Sequence, residues 1–195
     1  MATDPELINL THHFLIAMPR LEDEAFAGSV IYMCEHSDRG ALGLVINKPS
    51  DISLKSLFDK VELPLRREDL TDAPVFQGGP VQTERGFVLH ESMMPGSESV
   101  YASTMTIPGG LEMTTSKDVL EALSTGNGPK KVFVSLGYSA WGEGQLESEI
   151  SDNSWLTVAA DLSVIFDTPV AERYDRALKL LGLESWMLSP DAGHA

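Results

Sequence analysis

The chain has little cysteine, little positive charge and no long apolar run. Cys34 is its only cysteine, so no internal disulfide can form. Lys and Arg number 14 against 29 Asp and Glu, which gives a formal net charge of −15. No stretch approaches the roughly 18 apolar residues of a membrane-spanning helix. The N-terminal segment also lacks the basic and apolar regions of a secretory signal. We therefore expect a cytoplasmic protein that does not associate with membranes.

The scarcity of basic residues argues against direct binding to nucleic acid. Such binding depends on Lys and Arg side chains that neutralise phosphate groups. The adjacent pairs Arg66-Arg67 and Lys130-Lys131 are isolated in the sequence, and we expect them to be solvated turn or edge residues. The acidic surplus is more consistent with solubility, or with a basic partner.

Glycine and proline divide the chain into many short segments. There are 16 Gly and 11 Pro, with no repeat, no low-complexity stretch and no clear linker. We predict a single domain over residues 1–195, with an ordered core at about 9–186 and a loose tail at 187–195. Strands and helices do not alternate regularly, which predicts an α+β fold with a mixed, mostly antiparallel sheet.

Hydrophobic patterning predicts the individual elements. The predicted strands cover residues 14–18, 28–34, 41–46, 74–77, 86–90, 100–103, 111–114, 131–136, 155–158 and 163–166. The predicted helices cover residues 53–61, 117–123, 143–151 and 169–181, with Ser53, Ser116 and Thr168 as N-caps. Residues 86–90 are the predicted hairpin partner of 74–77. Segments 74–77 and 100–103 could be edge strands that pair in a homodimer.

Two catalytic motifs are only partly matched between residues 137 and 155. The sequence GEGQ at 142–145 follows a strand, but the third glycine of a dinucleotide-binding fingerprint is replaced by Glu147. The sequence GYSAW at 137–141 resembles a nucleophile elbow in which Trp141 replaces the final glycine. The only histidine after Ser139 is His194, near the end of the chain. We predict no nucleotide site, no hydrolase triad and no catalytic residue.

Histidine and cysteine do not form a metal-binding motif. Cys34 and His36 share one face of a predicted strand, but no second cysteine and no HExxH sequence accompanies them. His12, His13 and His90 are the other candidate ligands. We expect no metal and no cofactor. Cys34 is predicted to be a small buried hydrophobe, and His36 and His90 to form hydrogen bonds at strand ends.

The predicted helix at 143–151 carries two glutamates between two tryptophans. Glu147 and Glu149 lie two positions apart and so face different directions, which excludes a carboxylate pair for acid–base chemistry. We expect Glu147 to be solvated, and Glu149 to bond to the glycine-rich turn or to Asn153. Trp141 and Trp155 flank the helix, and packing is favoured over ligand stacking.

Sequence blocks spread over residues 9–182 resemble the AlgH/YqgE family of bacterial proteins. The matching blocks are residues 10–19, 26–32, 36, 40–49, 77–81, 86–90, 136–138, 141–142, 144–147, 149–150, 153 and 155–156. Ala140 is a departure, because the family pattern has glycine there. The resemblance implies an α+β fold with a small barrel-like core surrounded by helices, in a cytosolic protein. Some family members are named as candidate transcriptional regulators tied to alginate production, and the family has no assigned catalytic activity.

Charge and resemblance together predict a non-enzymatic regulatory or interaction protein that acts indirectly on gene expression. Its partner would be a protein or a small molecule. The alternative is a small-ligand-binding protein or an enzyme with a pocket near the GGP and WGxGQ loops. Candidate binding residues lie in these loops and at strand ends, where a rigid scaffold commonly presents a site. They are Asn47, Gly78, Gly79, Pro80, His90, Trp141, Gly142, Gly144, Gln145 and Glu149.

Overall fold

The computed structural model describes residues 9–21, 23–93 and 100–188. The strands of this part are β1 (His13–Ala17), β2 (Val30–Ser37), β3 (Gly40–Val45), β4 (Pro49–Ser53), β5 (Pro74–Gln77), β6 (Val81–Glu91), β7 (Thr104–Ile107), β8 (Leu111–Thr114), β9 (Val132–Trp141) and β10 (Trp155–Ala159). The α-helices are α1 (Leu54–Lys60), α2 (Asp118–Ser124), α3 (Gln145–Ser151), α4 (Leu162–Phe166) and α5 (Arg173–Lys179). Short 3-10 helices cover Glu68–Leu70, Val170–Glu172 and Ser185–Leu188.

The chain divides into two compact units. The first contains Met1–Asn47 and Ser139–Ala195, and the second contains Lys48–Tyr138. Strand β9 therefore contributes residues 132–138 to the second unit and residues 139–141 to the first. A single domain over residues 1–195 stays a prediction.

The first unit is built on an antiparallel sheet with the strand order β10-β1-β2-β3, extended by residues 139–141 of β9. The first five residues of β2 are all buried, as expected for an apolar strand packed on both faces. Helix α3 contributes the buried Leu146 to the core of this unit. Other buried members of that core are Leu15, Ile31, Met33, Val45, Trp141 and Trp155.

The second unit has a mixed sheet. Strand β5 pairs antiparallel with β4 and parallel with β9, while β6 pairs antiparallel with both β8 and β9. Strand β7 pairs with β8. Helices α1 and α2 bury their apolar residues in the core of this unit, which includes Leu54, Phe58, Val75, Val88, Val119, Leu123 and Val134. The predicted α+β class with a mixed, mostly antiparallel sheet is confirmed.

Strand β9 is longer than predicted. Residues 139–141 continue it by pairing with β3, where Ala41 lies opposite Trp141. The sequence GYSAW is therefore strand, and the turn into α3 lies at residues 142–144. Gly144 precedes the helix in the left-handed region at φ 72°, as a glycine readily does.

One predicted hairpin and one predicted strand are wrong. Strand β5 lies between β4 and β9, so it forms no hairpin with β6 and offers no free edge. Residues 100–103 form a bend rather than a strand. The Asp118 carboxylate holds this bend by accepting the Ala102 N–H at 2.8 Å. Neither predicted segment can supply the edge of a homodimer in the way the sequence suggested.

Local capping explains the remaining differences. Residues 163–166 lie in helix α4, because the Asp161 carboxylate accepts the Ser163 N–H at 2.9 Å and starts a helical turn. Ser53 caps α1 as predicted, but Ser116 donates instead to the Ala102 carbonyl and to Asp118. Thr168 donates to the Ser163 carbonyl, 3.0 Å away.

No helix among the described residues is long and apolar enough to cross a membrane. The predicted tail at 187–195 lies mostly outside the described residues.

Candidate functional site

A carboxylate between two tryptophans is the centre of the motif that the sequence singled out. Glu149 on α3 accepts the indole N–H groups of Trp141 and Trp155 on one oxygen, at 3.2 and 3.0 Å. Its other oxygen accepts the side-chain N–H of Gln145 at 3.0 Å. The Gln145 oxygen in turn accepts the Gly142 N–H at 3.0 Å. Four side chains and one backbone amide thus form a single hydrogen-bonded network.

Aromatic packing surrounds this network. The rings of Trp141 and Trp155 meet edge to face with centroids 6.3 Å apart. Phe26 stacks on Trp141 at 5.9 Å and meets Trp155 edge to face at 5.7 Å. Both indoles are at least 96% buried, since their exposed fractions are 4% and 3%. Both tryptophans therefore belong to the core, and neither indole face is accessible for a ligand to stack on.

The turn above the network is exposed and held in place. Residues 142–145 all face solvent. The Gln145 N–H donates to the Gly142 carbonyl at 3.1 Å, so the turn is hydrogen-bonded through both the backbone and the Gln145 side chain. The arrangement presents a short polar loop on a rigid support.

The pairing of His36 with Glu147 was not predicted. His36 accepts the Leu10 N–H on Nδ1 at 2.9 Å, which places the ring proton on Nε2. That Nε2 donates to the Glu147 carboxylate at 2.5 Å. Partial burial is the largest single influence and disfavours ionisation of Glu147, but the hydrogen bond from His36, a backbone hydrogen bond and the charge of His36 together outweigh it, so the pKa of this carboxyl is lowered. The expectation that Glu147 is simply solvated is wrong.

Cys34 is fully buried, as predicted. Burial, with the charge of Glu35 as a second cause, raises the pKa of the Cys34 thiol far above its usual value. A thiol that stays protonated is a poor nucleophile and a poor metal ligand. Within the described residues, no three His, Cys, Asp or Glu side chains are grouped so that they could hold a metal ion.

Asn47 and His90, two of the candidate residues, form hydrogen bonds to their own surroundings. The Asn47 amide accepts the Val30 N–H and donates to the Gly28 carbonyl, both at 2.9 Å. His90 is fully buried and bonds to the Glu91 carbonyl and to the Thr114 hydroxyl, both at 2.8 Å. Each side chain thus has structural partners for both of its polar ends.

The GGP loop is a place where backbone segments approach closely. A Cβ atom on Gly78 would lie 2.4 Å from the carbonyl oxygen of Gly137. One on Gly137, whose φ is +77°, would lie 2.5 Å from the carbonyl oxygen of Gly79. Real Cβ atoms do not approach other atoms so closely, so only glycine fits at these positions. Pro80 is exposed at the end of this loop.

The structure therefore joins four of the candidate residues in one cluster. Trp141, Gly142, Gln145 and Glu149 form it, and Gly144 lies in the turn they hold. The second unit contains four others, which are Gly78, Gly79, Pro80 and His90. Asn47 belongs to the first unit and accepts a hydrogen bond from Val30, the first residue of β2. Tryptophans on both sides of a helix that carries a central glutamate are the sequence signal from which this network could have been found.

Comparisons with known proteins identify the family. Residues 14–186 match the DUF179 family model, which is described as AlgH-like. The chain belongs to the AlgH-like family. Among AlgH-like relatives, a UPF0301 protein of Polaromonas sp. (strain JS666 / ATCC BAA-500) is 90% identical over the full length of both chains. A UPF0301 protein of Paracidovorax citrulli is 72% identical, again with full coverage of both.

Solved structures agree with the AlgH-like assignment. The solution structure of the AlgH protein from Pseudomonas aeruginosa is 45% identical to this chain, with a TM-score of 0.76 and full coverage of both chains. A crystal structure of a Corynebacterium diphtheriae protein is 20% identical with a TM-score of 0.69, and covers 92% of this chain and 88% of that one. This second likeness concerns the fold alone. The family resemblance seen in the sequence is confirmed.

Proposed function

We propose that this AlgH-like chain is a non-enzymatic cytoplasmic regulatory protein that acts indirectly on gene expression by binding a basic protein partner. The proposed binding surface is the acidic loop surface, defined as residues 142–145 together with the exposed Asp152 at the C-terminal end of α3. The observation that carries the proposal is the turn at residues 142–145, which is both exposed and held by hydrogen bonds. It adjoins the Trp141–Glu149–Trp155 network, in which the Glu149 carboxylate already accepts three hydrogen bonds.

The chemistry of the network favours binding over catalysis. Glu149 accepts three hydrogen bonds and lies between two buried indoles, so it offers no free base to a substrate. His36 accepts on one ring nitrogen and donates on the other. Catalysis needs a nucleophile, acid or base within reach of a bound substrate. Because Glu149 and His36 already have hydrogen-bond partners within the fold, their arrangement supports a role in shaping a binding surface.

The charge of this region supports a basic partner. Between residues 132 and 172 the sequence contains no Lys or Arg and seven Asp or Glu. Glu143 in the loop and Asp152 at the end of α3 are exposed. Opposite charges across an interface raise the association rate and fix orientation, and rim charges of this kind respond to salt.

The rigidity of the loop supports selective binding. A loop that is already ordered loses less conformational entropy when a partner binds. The Gly142–Gln145 bonds on one side and the Ser148 N–H bond to the Gly144 carbonyl at 3.1 Å on the other fix the backbone of this turn. A partner would meet a preformed surface.

Quantitative capture from a bacterial lysate tests the proposal. The wild-type chain is compared with a Glu143→Lys/Asp152→Lys variant and with an Asp59→Lys/Asp72→Lys control, whose acids are exposed in the second unit. We expect a specific protein that is retained by the wild type and the control but is lost about tenfold with the first variant. Its retention should weaken as salt is raised.

The proposal would be wrong if no protein is retained above background. It would also be wrong if every retained protein binds both double variants equally well. Far-UV circular dichroism confirms beforehand that the variants are folded.

A further inference from the structure

The second unit contains a half-enclosed pocket that no sequence motif indicates. Its volume is about 160 Å³. The apolar wall is formed by Leu57, Val88, Leu120 and Val134. Val88 on β6 lies opposite Val134 on β9, so two neighbouring strands supply the floor. Both valines are buried.

A glycine keeps the pocket open. Gly86 lies on β6 two positions before Val88 and lines the same pocket. A Cβ atom added at Gly86 would meet no atom within 4 Å, and its φ lies outside the left-handed region that favours glycine. The backbone therefore does not need glycine here. Glycine inside a strand weakens it and often marks a place where a ligand approaches the backbone.

Two cations line the pocket where the wall reaches solvent. Arg85 and Lys117 are both exposed pocket residues. In the part of the chain that the structure describes, no Asp or Glu lies within ion-pair distance of either. Arg85 bonds to the neutral Gln82 side chain at 3.3 Å, and its guanidinium lies 5.7 Å from the centre of the Phe87 ring. Two neighbouring cations that lack an ion-pair partner among the described residues stand out in a chain of net charge −15.

Hydroxyl groups complete the lining. Thr114, Thr115 and Ser116 also line the pocket and directly precede Lys117 in the chain. The single hydroxyl proton of Ser116 is shared between the Asp118 carboxylate and the Ala102 carbonyl, so its oxygen keeps acceptor capacity only. The Asp118 carboxylate also accepts the Ala102 N–H and is not a pocket-lining residue. The remaining donors that can face a ligand are thus mainly the two cations.

We propose that this pocket binds a small organic anion, with its apolar body against the valines and leucines and its carboxylate between Arg85 and Lys117. Arginine matches a carboxylate with two parallel hydrogen bonds, and lysine adds a mobile point charge. The volume admits a body about the size of one six-membered ring. The inference does not rest on the proposed partner surface, which lies on different residues.

Titration of the full-length chain with three probes tests the proposal by two-dimensional NMR. Benzoate carries both the ring and the anion, benzyl alcohol carries the ring alone, and inorganic phosphate carries charge alone. We expect benzoate to shift the resonances of Gly86, Val88 and Leu120, with a Kd of about 1 mM. The other two probes should bind at least fivefold more weakly. Equal binding of all three, or no shift at these residues, would overturn the proposal.

Three variants and a matched control locate the binding. Gly86→Val fills the space beside Val88 and should abolish the benzoate shifts while the spectrum stays dispersed. Arg85→Gln and Lys117→Gln should each weaken benzoate about threefold to tenfold. Arg66→Gln removes an exposed cation of the same unit that does not line the pocket, and should change nothing. Unchanged binding in Gly86→Val, or equal loss in Arg66→Gln, would overturn the assignment.

Discussion

At the scale of single residues, Glu149 carries the most interactions in the candidate site. Its carboxylate satisfies the N–H groups of two indoles that are almost completely removed from solvent. A buried donor that loses its acceptor costs its full desolvation energy, which exceeds the net gain from an ordinary hydrogen bond. Glu149 therefore stabilises the fold mainly by accepting the hydrogen bonds of the two buried indoles, and less through its own charge.

Replacing Glu149 tests this view. Glu149→Ala leaves both indole N–H groups without their acceptor and should lower the free energy of unfolding by about 2–4 kcal/mol. Glu149→Gln keeps one oxygen for the indoles but turns an N–H₂ group toward the Gln145 donor, and should cost about 1–2 kcal/mol. Urea unfolding followed by tryptophan fluorescence measures both. Glu143→Gln, on the exposed loop, is the control, and a loss as large as that of Glu149→Ala would contradict the account.

The His36–Glu147 pair predicts a dependence of stability on pH. The pKa of Glu147 is lowered in the folded chain, so its ionised form adds stability above the unfolded pKa. That contribution disappears as the pH falls through the lowered pKa. The difference in unfolding free energy between the wild type and Glu147→Gln should therefore be fully present near pH 7 and shrink as the pH falls below the ordinary pKa of a glutamate. Urea midpoints at several pH values measure it, and a difference that does not change with pH would contradict it.

Sequence reasoning found the residues of this site but not their partners. Trp141, Trp155 and Glu149 are visible as a motif because they lie close together along the chain. Local patterning predicts a solvated Glu147, since its partner His36 is 111 positions away. A hydrogen bond over such a separation depends on how β2 and α3 meet, which local patterning does not contain.

At the scale of elements, close backbone approach explains the glycine motifs. Gly78 and Gly137 lie where the loop after β5 passes β9, with no room for a side chain at either. Gly86 lies on the neighbouring strand and has open space beside it. Gly78 and Gly137 are thus required because a side chain would clash, whereas no such clash requires glycine at position 86.

Alanine substitutions distinguish these reasons. Gly78→Ala and Gly137→Ala force a methyl group against backbone carbonyls and should each cost about 2–4 kcal/mol of unfolding free energy. Gly86→Ala, the matched control in the same sheet, should be neutral or slightly stabilising. Thermal and urea unfolding of the three variants measure this. A cost at Gly86 equal to that at Gly78 would show that close approach is not the cause.

Continuous apolar strands could be predicted, but their ends and partners could not. The buried run of β2 and the start of β9 follow from composition alone. The extension of β9 through residues 139–141 depends on pairing with β3, and α4 depends on an Asp161 cap that outweighs the strand preference of its β-branched residues. Both are decided by contacts that a propensity scale does not include.

At the scale of the whole molecule, charge is the property that most restricts function. A net charge of −15 opposes association with phosphate backbones. A basic protein partner would instead be attracted, most strongly at low salt. Any influence on gene expression should therefore pass through another molecule.

A gel-shift assay tests the consequence for DNA. The full-length chain should not retard duplex DNA at physiological salt of about 0.15 M, even at micromolar protein concentration. A basic DNA-binding protein run on the same gel serves as the positive control. A shift that persists with unrelated competitor DNA would mean that direct binding had been wrongly excluded.

Site-specific photocrosslinking in living bacteria tests most directly whether the acidic loop surface around Glu143 contacts a basic partner. A photoreactive benzoylphenylalanine replaces Glu143 in one variant and the exposed Asp59 of α1 in the other, so each variant loses one negative charge. We predict a discrete crosslinked product at position 143 that is absent at position 59 and declines when Asp152→Lys is added. No product at position 143, or the same product at both positions, would contradict the account.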